Sequence, residues 1–165
     1  MMSQWIAWWT AVYADSAWLR TAIAFAHVGG LLVSGGLAVG ADRMVLRMKR
    51  SDAAGSGESA LSIELGLKTL EGIHRFVVGG LGLVLVSGVL LLCADLDTFL
   101  YAKVFWLKMV LFAVLLANGL VLTRQEQRVA HGHASAWKPL RLAATASLTL
   151  WFLTTLLGVA LPNLG

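Results

Sequence analysis

Four runs of about twenty apolar residues limit what this chain can fold into. A helix needs roughly 20 residues to cross the hydrocarbon core of a bilayer. Residues 18–41, 76–94, 104–123 and 142–161 each come close to that length and end at charged or turn residues. In lipid the backbone must satisfy its own hydrogen bonds, so isolated runs of this length fold as helices. The expected fold class is all-α, an integral membrane four-helix bundle over residues 17–165 behind a short segment, residues 1–16. The composition agrees, with 58% hydrophobic residues and only 13% charged, where soluble domains carry about a quarter charged.

The placement of charge sets the orientation. Lys and Arg outnumber Asp and Glu by 13 to 9, a balance that by itself fits nucleic-acid binding. Yet Arg43, Arg47, Lys49, Arg50, Lys68 and Arg75 fall between the first two runs, and Arg124, Arg128, Lys138 and Arg141 between the last two. Only Arg20, Lys103 and Lys108 lie toward the other ends. Cytoplasmic loops carry such an excess. The expectation is therefore a multi-pass membrane protein, N- and C-termini outside, with the bilayer as its partner and no nucleic acid.

Residues 1–16 lack the basic start of a cleavable signal and carry Trp5, Trp8, Trp9 and Tyr13, which with Trp18 suit the headgroup layer. Asp15 or Ser16 can cap the first span. Residues 51–60, SDAAGSGESA, read as a flexible cytoplasmic linker. From Leu61 a helical pattern resumes, with Glu64 and Lys68 at i,i+4 spacing, and is expected to run unbroken into the second span. The outer link DLDTFLYAK is short enough to make spans two and three antiparallel neighbours. Cys93 is the single cysteine, which excludes an intrachain disulfide and a thiolate cluster.

Ionisable side chains within membrane spans are costly and point to function. His27 lies about 10 Å along the helix from Arg20, and Lys108 enters span three from the same outer face at a similar depth. The two can share one outer-leaflet pocket, His27 as a metal or haem ligand or a proton relay, Lys108 as an anchor for a carboxylate. For His27 the alternative is a structural hydrogen bond to a serine, threonine or carbonyl. For Lys108 it is snorkelling to the headgroups. Asn118 sits about 15 Å deeper. His74 stands at the inner end of span two, so His27 and His74 cannot bind one iron within a chain, whereas His74 with His131 or His133 can. His131 and His133 also form a conceivable copper or zinc clamp. Glycines in spans one and two mark close contact, either between helices or with a flat cofactor.

Three motifs carry a family resemblance. FAHVGGLLVSGGLAVGADR places Arg43 sixteen residues after His27, a spacing similar to that of HemJ-type protoporphyrinogen oxidases. HRFVVGGLGLVLVSGVLLL, with its late Ser87-Gly88 pair, resembles the copper-resistance protein D pattern, and YAKVFWLKMVLFAVLLAN resembles both groups, with Lys108 on the shared lysine and Asn118 near the copper-D asparagine. The resemblance covers about residues 20–124. Trp106-Leu107 and Asn118-Gly119 stand where HemJ-type chains tend to carry histidine. The resemblance implies a bacterial inner (cytoplasmic) membrane oxidoreductase with haem b, or a porphyrin- or quinone-linked step. Residues and resemblance together give as cofactor-binding candidates His27, His74, Lys108, Arg43 and Asn118, and the histidine positions alone give as metal candidates His27, His74, His131 and His133. The alternatives are transport of copper or another small solute, and a non-catalytic subunit of a homodimer or larger membrane complex.

Overall fold

The computed structural model describes residues 2–48 and 57–164, and all its regular elements are helical. The element order is α1 (Met2–Asp15), α2 (Ala17–Arg47), α3 (Gly57–Ala94), α4 (Leu96–Tyr101), α5 (Lys103–Ala130), a 3-10 turn (Ala134–Ala136) and α6 (Trp137–Leu164). Four of these, α2, α3, α5 and α6, contain stretches long and apolar enough to cross a membrane. Their outward faces are apolar too: Leu32 and Phe152 are each 71% exposed. Apolar surface on that scale belongs against lipid rather than water. The linker at residues 51–60 lies largely outside the described residues.

Local chemistry sets the breaks. Ser16 stops α1 and caps α2, its Oγ accepting from the Leu19 N–H at 3.3 Å, the partner an exposed helix N-terminus needs. The Asp95 carboxylate accepts from the Thr98 N–H at 3.3 Å and so starts α4 inside the short outer link. The pattern beginning at Leu61 belongs to one continuous α3 of 38 residues. Within the 1–16 segment, Met2–Asp15 is a helix packed on α3 and α2. Trp9 Nε1 donates to the Leu90 carbonyl at 3.0 Å, tying α1 to the end of α3.

The helices form a ring in the order α3, α2, α6, α5, with broad α2–α3 and α5–α6 contacts and a narrower α2–α6 contact. α3 and α5 barely touch. The short link thus joins two crossings that the ring leaves nearly apart, where the sequence predicts neighbours. The reason is packing: α2 offers a row at four-residue spacing, Gly30, Ser34, Ala38 and Asp42, all buried, that admits another helix closely. A Cβ on Gly30 would fall 2.9 Å from Val84 Cγ2 and 3.1 Å from the Gly80 carbonyl, and one on Gly80 would fall 2.9 Å from Ser34 Cβ. Gly35 similarly admits the Trp151 ring of α6. By contrast Gly29, Gly36, Gly40, Gly79 and Gly82 face open space. The starts of α2 and α5 lie with the ends of α3 and α6 at one end of the bundle, the termini end. The opposite, basic end holds a dry core of Val45, Leu70, Leu140 and Ala144, each fully buried.

Candidate functional site

The four helices bring polar side chains together at two levels. Toward the termini end, His27 on α2 meets Ser87 on α3, Nδ1 to Oγ at 3.0 Å. Ser87 has one hydroxyl proton, and it is directed at the Leu83 carbonyl at 2.6 Å. Ser87 therefore accepts from His27, which favours the Nδ1–H tautomer of a neutral imidazole, and the Val84 backbone also hydrogen-bonds to the ring. Gly88 makes room for the ring, since a Cβ there would lie 3.2 Å from His27 Cε1.

Lys108 of α5 arrives at the same level. It is half-buried and within electrostatic reach of His27, and a Cβ on Gly158 of α6 would fall 3.6 Å from its Nζ. Among the described residues no carboxylate comes within ion-pair distance of it. His27 and Lys108 share one level of the bundle, and the bond of His27 to a serine, the alternative for that residue, is present.

The other sequence candidates go elsewhere. Asn118 bridges α5 to α6, its Nδ2 donating to the Ala143 carbonyl at 2.9 Å. Arg43 is exposed at the basic end, sixteen residues and roughly 24 Å of helix from His27. His74 also belongs to that end, where its Nδ1 lies 3.4 Å from Glu126 Oε2. His131 is exposed with Nδ1 at 2.7 Å from the Gln127 carbonyl, and His133 is exposed in the turn before α6. Among the described residues no three His, Cys, Asp or Glu side chains converge as metal ligands.

Sequence reasoning missed the second level. Asp42 is 2% exposed and Glu126 8%, although both stand at the margins of apolar runs. Asp42 bonds to the Ser147 side chain of α6, and Glu126 lies within electrostatic reach of Asp42. Each carboxyl keeps one buried oxygen, Asp42 Oδ2 and Glu126 Oε1, without a hydrogen-bond partner. The signal was present. Asp42 extends the four-residue row of Gly30, Ser34 and Ala38, and Glu126 continues the buried face of Leu115, Leu122 and Val129. Beside this cluster a groove of about 790 Å³ opens between α3 and α5, lined by His74, Glu126, His131 and Trp137 among others. Comparison of the chain with family models, curated proteins and solved structures finds no match.

Proposed function

We propose that the chain is a multi-pass protein of the bacterial cytoplasmic membrane, both termini outside, that binds a planar redox ligand, a porphyrin or a quinone, between His27 and Lys108. One observation carries the reading: an imidazole bonded through Nδ1 to Ser87 and an ammonium to which the described residues offer no carboxylate meet at one level of an apolar bundle. A half-buried ammonium calls for an anionic or electron-rich oxygen. A porphyrin carboxylate or a quinone carbonyl supplies one, and the His27 ring is then placed to hydrogen-bond the ligand or hold a proton beside it. The likeness of the first three spans to HemJ-type and copper-resistance D proteins supports the same class.

If haem b is the ligand, His27 would hold the iron and Lys108 a propionate, and the group would supply one-electron exchange. His74 is at the other end of the bundle and adds no second ligand within the chain. The test is the absorption spectrum and organic extract of detergent-purified protein produced with haem supplied. A Soret band or a co-purifying quinone is expected in the wild type and is lost in His27→Ala and Lys108→Ala. A wild-type sample with neither overturns the proposal.

A second reading, a subunit of a homodimer or larger membrane complex, is favoured by the glycines that face open space. Small residues on a lipid-facing helix let a partner helix approach closely. It predicts that Gly36→Leu shifts the protein to a smaller assembly on size exclusion, while His27→Ala does not.

A further inference from the structure

The groove at the basic end has a wall that the His27–Lys108 reading does not use. Its charged lining comes from Glu64, Lys68 and Glu71 on α3 and Glu126 on α5. Lys68 is already neutralised by Glu64 at 2.8 Å, so the remaining charge of the lining is acidic. Glu126 is more than nine-tenths buried, lines the groove, and has Oε1 without a hydrogen-bond partner. An ionised carboxylate in that position demands compensation.

We propose that this groove binds a lipophilic organic cation in exchange for a proton on Glu126. The ligand class follows from the lining. No third metal-ligating side chain joins His74 and Glu126 among the described residues, and the volume far exceeds that of a bare ion. Trp137, Leu67 and Val129 supply apolar and aromatic surface, and an aromatic face attracts a desolvated cation. The proton and the cation compete for one carboxylate, so binding of the second releases the first. The groups that face Glu126 are His74 from α3 and Asp42 from α2, the latter held by Ser147 of α6. Arg141 of α6 is exposed and donates to the Leu46 carbonyl instead. No step passes through His27 or Lys108.

The experiment uses the full chain in detergent micelles, titrated with tetraphenylphosphonium in a calorimeter, with proton release followed in weakly buffered solution. About one proton leaves for each cation bound, and affinity rises by up to about tenfold per pH unit where Glu126 is protonated in the free protein. Glu126→Gln lowers affinity at least about tenfold and abolishes the release. Uptake equal to that of empty micelles overturns the proposal, as does binding that Glu126→Gln leaves unchanged. Where that variant does not fold, the wild type decides: saturable binding with proton release upholds the exchange, and binding without release overturns it.

Discussion

At the termini end His27 finds Ser87 at 3.0 Å and a seat against Gly88, while at the basic end Asp42 and Glu126 each keep an oxygen with no partner. Both regions bury polar atoms among apolar helices, but the His27–Ser87 contact is a completed hydrogen bond, whereas the two carboxyls each retain an open oxygen. A satisfied polar contact inside a bundle adds about 1 kcal/mol, whereas an unpartnered buried group costs about 1–3 kcal/mol. The termini end is therefore organised for a fixed geometry, which a ligand-binding imidazole needs. The basic end holds unused bonding capacity, which a proton or a cation can use.

The largest predicted effect removes the frame beneath this comparison. Gly80→Val places carbon where the Ser34 Cβ and the Gly30 carbonyl already stand, at 2.9 and 3.3 Å from the Cβ position. Backbone cannot give way as a flexible side chain can, so a loss of about 3 kcal/mol or more is expected, the upper range for overpacking. Gly79→Val, next in sequence but facing open space, leaves stability close to the wild type. Unfolding in mixed micelles with increasing denaturing detergent measures both. Equal losses in the two variants would break the claim that one glycine face holds α2 against α3.

The next prediction sets the two ends directly against each other. Glu126→Met replaces a buried carboxyl that keeps one oxygen unpartnered with an apolar chain of similar length, and since an unmet buried polar group costs about 1–3 kcal/mol, a gain within that range is expected. His27→Leu makes a similar exchange at the other end but deletes a completed bond, so it costs about 1 kcal/mol. Opposite signs in the same unfolding assay sustain the contrast. A loss in both would mean that Glu126 is as well satisfied as His27.

The same contrast explains what could be read before the structure. The spans and the unbroken α3 follow from hydropathy and helical period. The shared depth of His27 and Lys108 follows from counting residues inward from one face, which works because a helix rises uniformly. The ring order does not follow, since link length limits which helices can touch but not which will pack. α3 chose α2 through Gly30 and Gly80, contacts that sequence shows only as abundant glycine. Asp42 and Glu126 escaped because each stands where a hydropathy window ends, and a charged residue there resembles one at the interface. Only their place in the four-residue row and the buried face of α5 distinguishes them.

Ser87→Ala tests the termini end at smaller scale. It removes the acceptor for His27 Nδ1 and leaves the ring seated on Gly88. Intramembrane hydrogen bonds of this kind average about 0.6 kcal/mol, so a stability loss near that value is expected. The sharper readout is the tautomer. Nitrogen NMR of labelled histidine shows Nδ1–H in the wild type and a mixture in the variant, because nothing then distinguishes the two nitrogens as strongly. A wild-type Nε2–H tautomer would overturn Ser87 as the acceptor for His27.

Asn118→Ala gives the smallest effect and supplies the reference for the rest. Asn118 lies between the two polar levels and makes one completed bond, to the Ala143 carbonyl. That carbonyl belongs to the backbone of a helix, where its other bond persists, so its loss of one donor costs about 0.6 kcal/mol or less. Neither the absorption spectrum nor cation uptake should change, as Asn118 touches neither site. A change in either would mean that α5 shifts against α6 when this bridge is cut, coupling the two ends through the one helix that reaches both Lys108 and Glu126.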